Sequence, residues 1–239
     1  MISVPTSSID NPTAAHALAI DEQAVQALNH KYGPLPFRER IRLLYDDFAP
    51  EQVLVTSSFA ATSAFFLHII AQARPQQIVH FIDTGYHFPE TMGYKDYLIE
   101  RFGLQVESVH AEDWKHDFTV EERTYERDPD FCCSVNKVEP LDLIKPRFRV
   151  WVSSLMRWQT EHRAGLDIFE VRRGIIKFNP MIDVTQAQRD DYIREHDLPF
   201  HPLVAKGYSS IGCTHCTVAG DGRSGRWLGK PKTECGLHL

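Results

Sequence analysis

Short apolar runs alternate with helical patterns through the middle of the chain, and this alternation constrains the fold more than any other feature. Helical patterns cover residues 60–72 and 89–102. Runs typical of buried parallel strands occupy residues 52–57, 78–83, 105–110, 149–153 and 174–178. Strands that alternate with helices of this length form parallel sheets that are covered on both faces. The sequence therefore predicts an α/β protein with a Rossmann-like parallel sheet of about five strands.

The two ends of the chain differ from this middle. Residues 1–20 are rich in Ser, Thr, Pro and Ala, which predicts a disordered N-terminus. Two helices are expected between residues 21 and 48, split near residues 33–36. Residues 205–239 are rich in glycine and contain three of the five cysteines. We expect one domain, in which residues 21–204 form the α/β body and residues 205–239 form a mobile functional segment over the mouth of the sheet.

The composition excludes some partners. A net charge of -6 argues against a general nucleic-acid binder, so an anionic substrate would need a local basic patch. The N-terminal residues lack the pattern of a signal peptide. The longest apolar stretch, residues 60–73, is interrupted by polar residues and is too short to span a bilayer. We therefore expect a cytoplasmic protein that binds neither nucleic acid nor membrane.

The five cysteines divide into four and one. An odd number disfavours a disulfide framework and favours metal binding together with a reactive thiol. A CxxC turn can place two sulfurs on one ion or on two corners of a cluster. An adjacent pair can ligate one ion only through a strained backbone, whereas a cubane offers the two sulfurs separate irons. The sequence thus favours a [4Fe–4S] cluster over zinc or unliganded thiols, on Cys132, Cys133, Cys213 and Cys216. We interpret His215, inside the CxxC loop, as a supporting or surface residue.

The fifth cysteine, Cys235, lies in the segment ECGLH near the C-terminal end. An accessible, mobile thiol suits a nucleophile that must reach both a buried substrate and a second protein. His238 would favour the thiolate if its ring turned back onto the sulfur. Taken alone, an incidental exposed cysteine explains this position equally well.

Two polar turns follow neighbouring predicted strands. Thr56-Ser57-Ser58 lies at a strand-to-helix turn, where backbone N–H groups attract phosphate or sulfate, although no Walker A sequence is present. Asp83-Thr84-Gly85 ends the next strand at the same edge, where open α/β sheets bind ligands. A simple serine N-cap and an ordinary Asx turn are the alternatives.

Several segments together resemble the adenylyl-sulfate and phosphoadenylyl-sulfate reductase family. They occur in the family's order from about residue 50 to the end. The most specific are the CC…CxxC set and the ECGLH segment. The full set is SSF from Ser57, DTGYHFPET over residues 83–91, CCSVNKVEPL over residues 132–141, Gln159 with Arg163, GCTHCT over residues 212–217, RSGRW over residues 223–227 and KTECGLH over residues 232–238.

The resemblance implies an adenine nucleotide alpha-hydrolase-like fold and an assimilatory, iron–sulfur-type reductase of sulfate assimilation and cysteine biosynthesis. The Cys235 thiolate would attack the sulfur of adenylyl sulfate, AMP would leave and an S-sulfocysteine would form. Reduced thioredoxin or glutaredoxin would then release sulfite. The cluster would organise the anion site and would not carry the electrons. The sequence leaves a homo-oligomeric state open.

The resemblance also implies which residues bind substrate. The positive charge would come from Lys137 and several arginines, since guanidinium forks suit phosphosulfate oxygens. Trp227 is interpreted as a packing residue. The full substrate-binding set is Ser57, Ser58, Asp83, Thr84, Gly85, Lys137, Arg157, Gln159, Arg163, Arg223, Arg226 and His238.

Two residues depart from the family pattern. Met156 stands where an arginine is expected, and Ala60 stands where a glycine often follows Ser-Ser-Phe. Both concern contacts with phosphosulfate and neither affects the cysteines. The four cluster cysteines favour adenylyl sulfate as substrate, while the Ser57-Ser58-Phe59 loop resembles that of enzymes using the 3′-phosphorylated form. Phosphoadenylyl sulfate, or use of both, therefore remains the alternative.

Two other classes of protein are alternatives. A sulfurtransferase of the ATP pyrophosphatase type, acting on tRNA, would carry a Ser-Gly-Gly-x-Asp-Ser loop, which this sequence lacks. A regulatory iron–sulfur or zinc protein that senses sulfur or redox state through Cys235 would bind nucleotide without turnover. It remains the alternative outside the enzymes.

Overall fold

The computed structural model describes residues 22–238, so the predicted disorder of residues 1–20 lies outside the described residues. The helices are α1 Glu22–Tyr32, α2 Phe37–Asp47, α3 Ser63–Ala73, α4 Pro89–Phe102, α5 Asp113–Glu121, α6 Thr124–Arg127, α7 Pro129–Cys133, α8 Glu139–Ile144, α9 Glu161–Ala164 and α10 Gln186–Glu195. The strands are β1 Val53–Ser57, β2 Ile78–Ile82, β3 Gln105–Val109, β4 Val150–Val152, β5 Phe169–Arg172 and β6 Ile175–Phe178.

The strands form one sheet in the order β3-β2-β1-β4-β6-β5. All neighbours are parallel except β5 and β6, which are antiparallel. The five predicted strands are present to within a residue at each end, and β5 is the sixth. Arg173 and Gly174 join β5 to β6 with φ values of 47° and 77°, the geometry of a tight hairpin turn. Only this edge departs from the predicted parallel arrangement.

The strand order creates a crevice between β1 and β4. From β1 the chain proceeds to β2 and β3 on one side, and then crosses to β4 on the other. Ligands of open α/β sheets bind outside the carboxyl ends of the strands at such a reversal. The residues that follow these two strands, from Ser57 and from Ser153, are therefore placed side by side.

Unequal packing covers the two faces of the sheet. The larger apolar core joins one face to helices that include α2, α3 and α10, and its fully buried members include Phe65, Leu67 and Phe81. The smaller core, on the other face, contains Trp151 and Leu141. Leu237, which belongs to the C-terminal residues 205–239, the tail, packs against it. Each fully buried side chain of this size stabilises the fold by roughly 1.5–3 kcal/mol. The tail therefore completes the thinner of the two layers.

Helix α4 shows how local sequence sets the element bounds. Pro89 occupies its first turn, where a missing N–H costs nothing, and Gly103 ends it at φ 64°. Helix α3 is apolar on most sides because it lies inside the larger core. Both helices match the predicted ranges closely.

The adjacent cysteines lie in a distorted helical segment. Asp128 caps α7 by accepting a hydrogen bond from the Phe131 N–H, and α7 ends at Cys133. Residues Ser134–Val138 then form a π-helical turn that leads directly into α8. Such turns widen a helix and are frequent at functional sites. Here the turn presents Lys137 to the cavity described below.

The segment after α10 follows an irregular path over the carboxyl edge of the sheet. Isolated bridges pair His87 with Cys213, Tyr208 with Gly220, and Thr217 with Arg226. Within residues 22–238, no helix has the length and apolar character needed to cross a membrane.

Candidate active site

A cavity of about 630 Å³ opens at the reversal point of the sheet. Its floor comes from the turn after β1 and from the loop after β4, and its roof comes from the tail. The predicted site residues that line it are Ser57, Ser58, Lys137, Gln159, Arg163, Arg223, Arg226, Cys235 and His238. The sequence analysis thus brought most of its candidates to one place, including the proposed nucleophile.

Four predicted substrate-binding residues do not line this cavity in the described structure. Asp83 accepts a hydrogen bond from the Gly85 N–H, which is the Asx turn that the sequence left as an alternative. Gly85 has φ 70°, and a Cβ there would meet the His116 ring at 2.5 Å. The Thr84 hydroxyl lies 3.3 Å from the Cys213 sulfur. This turn therefore supports the CxxC loop.

Arg157 is the fourth of these residues. Its guanidinium donates to the Leu166 carbonyl oxygen from Nε and Nη2, at 3.3 and 3.2 Å. The neighbouring Met156 is 2% exposed and belongs to the larger core. The loop in which the family resemblance places two arginines therefore brings no guanidinium into the cavity.

The four predicted cluster cysteines gather beside the cavity. Cys132, Cys213 and Cys216 share one apolar cluster with Tyr86 and Tyr125. The Thr214 N–H donates to the Tyr86 carbonyl oxygen at 2.8 Å, which fixes the CxxC loop against the turn after β2. His215 stacks on Tyr125 at 3.8 Å between ring centroids, so its ring is used in packing.

The donor set is two thiols from the end of α7 and two from the CxxC loop. Within residues 22–238, no three His, Cys, Asp or Glu side chains are arranged to hold one metal ion. A mononuclear zinc site needs its four donors about 2.3 Å from a single point. An iron–sulfur cluster spreads the same four thiolates over separate irons, so two cysteines on a helix and two on a loop fit this group.

Lys137 joins the cysteine group to the nucleophile. Burial alone would lower the pKa of Lys137, but the thiols of Cys213, Cys133 and Cys235 raise it further than burial lowers it. The same lysine lowers the pKa of Cys213 against the opposing effect of burial. Lys137 therefore stays charged at neutral pH, within electrostatic reach of three sulfurs.

Arg226 and Arg223 are held by an aromatic scaffold. The Trp227 side chain is 3% exposed and does not line the cavity, as the packing interpretation expected. The Arg226 and Arg223 guanidiniums lie 4.4 and 5.7 Å from its ring centre. Such contacts orient a guanidinium without neutralising it. A Cβ on Gly212 would collide with the Arg226 guanidinium, so a larger residue there would displace this side chain.

Glu234 was not among the sequence candidates, and it is the most fully bound carboxylate at the site. Its side chain is 1% exposed and receives Nε and Nη2 of Arg163, at 2.8 and 2.9 Å. Thr160 donates to it at 3.0 Å and Arg223 at 3.3 Å. Burial raises the pKa of Glu234, but the pairing with Arg163 lowers it more, so the carboxylate is ionised.

The His238 ring does not act as a cation. It stacks on Trp151 with the ring centroids 5.3 Å apart, and burial holds its pKa well below the usual range. A neutral ring gives no positive charge to the Cys235 thiol. On the same indole ring lies Lys177, fully buried 5.4 Å from the ring centre, with no hydrogen-bond partner for Nζ among residues 22–238.

Arg189 is a further cation that the sequence analysis missed. It lines the cavity together with Met156 and Trp158, and its guanidinium lies 4.9 Å from the Trp158 ring centre. Only 8% of the residue is exposed, and it also pairs with Asp190 at 2.6 Å. Its sequence context, a polar helix, gave no signal, because only the packing of α10 against α3 brings it to this site.

Comparison with curated proteins and family models places these features in context. The model of the phosphoadenosine phosphosulfate reductase domain matches residues 52–219. A relative from Mesorhizobium japonicum, named adenosine 5'-phosphosulfate reductase, is 41% identical over 239 residues, covering 96% of this chain and 90% of its own. A relative from Gloeobacter violaceus, named phosphoadenosine 5'-phosphosulfate reductase, is 37% identical and covers 84% of this chain and 92% of its own.

Solved structures agree with this assignment. Phosphoadenylyl-sulfate reductase from Candida auris, in a phosphate complex, superposes with a TM-score of 0.70 at 25% identity, over 84% of this chain and 99% of that one. Yeast FAD synthetase, with a TM-score of 0.54 at 11% identity over 83% of this chain and 75% of that one, shares the fold alone. The predicted fold class and family are confirmed, and the chain belongs to the phosphoadenosine phosphosulfate reductase family.

Proposed function

We propose that this protein is an adenylyl-sulfate reductase that releases sulfite through an S-sulfocysteine on Cys235. The observation that carries the proposal is the position of Cys235, which lines the cavity at the reversal point of the sheet together with Lys137 and Arg226. A thiol, two cations and a nucleotide-sized cavity are the parts that this reaction needs. The names of the curated relatives support the same reaction class.

Binding would use the two sides of the cavity differently. The Ser57-Ser58 turn after β1 would receive the nucleotide, since strand-to-helix turns offer backbone N–H groups to anions. Lys137 and Arg226 would bind the phosphosulfate oxygens, because both cations face the cavity. The sulfur would then lie against the Cys235 thiol.

The first chemical step would be a displacement at sulfur. The Cys235 thiolate forms a bond to the substrate sulfur, and the bond between that sulfur and the bridging phosphate oxygen breaks. The electron pair leaves on the phosphate oxygen of AMP. Lys137 and Arg226 would stabilise charge that develops on the oxygens, which is the main source of rate in such sites.

The second step would be reduction by a dithiol protein of the thioredoxin or glutaredoxin type. Its thiolate attacks the Cys235 sulfur, and the bond to the sulfonate breaks with both electrons leaving on sulfite. The mixed disulfide is resolved by the second thiol of the donor, which becomes a disulfide. The intermediate exposure of Cys235 supports such an exchange with a second protein.

A [4Fe–4S] cluster would be held by Cys132, Cys133, Cys213 and Cys216, the four thiols gathered beside the cavity. When bound, it would supply a fixed anionic wall that holds Lys137 in place. This chain's own residues would do the rest. The Thr84 hydroxyl lies 3.3 Å from the Cys213 sulfur, and the Asn136 amide lies 3.7 Å from the Cys132 sulfur. Both are placed to donate to thiolates.

The alternatives differ in substrate or in class. Use of the 3′-phosphorylated nucleotide, alone or with adenylyl sulfate, is favoured by the relative from Gloeobacter violaceus. A sensor role would need nucleotide binding without sulfite release. A cytoplasmic location and a dithiol donor of the thioredoxin or glutaredoxin type stay predictions.

The test is sulfite release by the purified holoenzyme with reduced thioredoxin, using each nucleotide separately. We expect release with adenylyl sulfate at the higher kcat/KM, and loss of more than about 1,000-fold in Cys235→Ser. Faster release of sulfite from the 3′-phosphorylated form would show that this nucleotide is the substrate and would leave the proposed reaction steps unchanged. Tight nucleotide binding with no release from either would refute the enzyme and leave the sensor.

A further inference from the structure

The carboxylate next to the nucleophile is held more firmly than the nucleophile itself. Both Glu234 oxygens accept from the Arg163 fork, at 2.8 and 2.9 Å. The side chains of Glu234 and Arg163 are 1% and 8% exposed. Two parallel charge-assisted hydrogen bonds in a dry setting fix both distance and direction. The backbone that leads into Cys235 is thereby fixed.

Further donors reach the tail at the same point. Thr160, which caps α9 by accepting from the Arg163 N–H, donates to Glu234 at 3.0 Å. Arg223 donates to the Thr233 carbonyl oxygen at 2.7 Å and to Glu234 at 3.3 Å. The upstream side of Cys235 is therefore fixed to α9 and to the segment that contains Arg223.

The downstream side of Cys235 is held by weaker contacts. Leu237 packs on the smaller core, and the His238 carbonyl oxygen accepts from the His162 ring at 3.0 Å. Cys235 itself keeps intermediate exposure and lines the cavity. The thiol thus lies between a strong polar anchor and a weaker apolar one.

The anchor also changes which cations remain for the substrate. Arg163 and Arg223 were both expected to bind phosphosulfate, but Glu234 occupies Nε and Nη2 of Arg163 and one Arg223 nitrogen, and the remaining Arg163 nitrogen, Nη1, donates to Gln159. Lys137 and Arg226 line the same cavity without a carboxylate partner among the described residues. A substrate anion therefore meets Lys137 and Arg226 while the tail is in place.

We propose that Glu234 is a positioning residue for the reaction, which holds Cys235 over the cavity by latching the tail to Arg163 and Arg223. This inference rests on the proposed function for its chemical meaning. Arg163 and Arg223 then hold the tail, and Lys137 and Arg226 bind the substrate. Opening of the latch would free Cys235 for the dithiol donor.

The experiment compares Glu234→Gln with Glu161→Gln, a matched control at an exposed glutamate of α9, the helix that contains Arg163. The first readout is the rate of Cys235 alkylation by iodoacetamide in the anaerobic, nucleotide-free holoenzyme, followed by peptide mass. The second is the single-turnover rate of sulfonate transfer to Cys235 at saturating adenylyl sulfate, with the half-saturating concentration. Iron content and thermal stability show that each variant is folded and loaded.

Glu234→Gln should raise the alkylation rate about 10-fold and lower the transfer rate about 10-fold, because a buried pair has lost one charge. Half-saturation should change less than about 2-fold, since substrate cations are untouched. Glu161→Gln should match the native protein in all readouts. Glu234→Asp, which keeps the charge on a shorter stem, should fall between the two, and it carries the test if the glutamine variant does not fold.

Two results would overturn the proposal. Alkylation and transfer at native rates would show that Glu234 has a structural role only. Tighter nucleotide binding with unchanged or faster transfer would show that Glu234 competes with substrate for the arginines. The alkylation readout needs no nucleotide. If Glu234→Gln raises the alkylation rate in a protein that forms no sulfonate adduct, the proposed function fails while the inference about the tail stands.

Discussion

The body of the molecule and its tail each contain a buried arginine paired with a carboxylate, and the two pairs differ in what else they bind. In the body, Arg40 of α2 binds Asp183 through both terminal nitrogens at 2.7 Å. Its remaining hydrogen bonds go to backbone carbonyls of Tyr32, Gly33 and Pro180.

The tail pair has a different setting. Arg163 and Glu234 are surrounded by other side chains, namely Thr160, Gln159 and Arg223. Side-chain partners can rotate to other partners while the backbone stays in place, whereas backbone carbonyls move only with the segments that carry them. The comparison teaches that the same ion pair serves stability in the body and a reversible closure in the tail.

The largest expected effect concerns the cysteines between the two regions. Cys132→Ser should remove the brown colour and the iron, and with them most of the activity, because the cluster loses one of its four thiolates. Iron analysis, visible absorbance and sulfite release measure this. A colourless variant with full activity would show that the cluster is not needed for the reaction.

Arg40→Met tests the body. Removing this guanidinium leaves three backbone carbonyls without their donor, while the Asp183 carboxylate, 44% exposed, can be hydrated, so we expect the free energy of unfolding to fall by about 3 kcal/mol. Activity per folded molecule should stay at the native level. Urea denaturation measures the free energy of unfolding, and initial rates measure the activity. A variant with native stability and reduced activity would show that this pair does not serve stability.

Lys177→Met tests the layer that the tail completes. Burial lowers the pKa of Lys177 to about 8 from 10.5, so between these values the unfolded chain binds more protons than the folded one. The stability of the native protein should therefore rise with pH from about 8 to 10.5, and the full penalty applies below pH 8.

The methionine variant lacks this ionisation and keeps the packing on Trp151. It should be more stable by about 3 kcal/mol at pH 7, a difference that shrinks as pH rises through this window. Denaturation of both proteins across the pH range measures it. Parallel pH profiles would show that Lys177 has an unseen partner.

The smallest expected effect concerns a cation of the body that lines the cavity. Because Arg157 points to Leu166 and position 156 is a methionine, we expect Arg189 to supply charge at that end. Arg189→Met should raise the KM for adenylyl sulfate about 10-fold, the loss of one charge-assisted contact, with kcat little changed. Arg194→Met, exposed on the same helix, is the control, and an equal KM in both variants would contradict the role.

The sequence predicted what depends on periodicity and on specific motifs. Parallel strands and a binding site at their carboxyl ends follow from short-range patterns and from order along the chain, whereas the gathering of Lys137, Arg226 and Cys235 was implied by the family resemblance. Strand β5 was not predicted, because its four residues ahead of the turn at Arg173 and Gly174 do not form a continuous apolar run.

Three roles depended on contacts that no local pattern shows. Thr84 faces a cysteine of the CxxC loop. Glu234 meets Arg163 across 71 residues, and Lys177 is buried under a tail that lies about 60 residues further along the chain. Such pairings are properties of the folded chain, so a single sequence does not reveal them.

The most direct test of the central claim is the mass of the intact protein after anaerobic incubation with adenylyl sulfate and no dithiol. We expect one added sulfonate, located on Cys235, released as sulfite when reduced thioredoxin is supplied, and absent from Cys235→Ser. A protein with its iron intact that binds the nucleotide but gains no sulfonate, or gains it on another residue, would contradict the account.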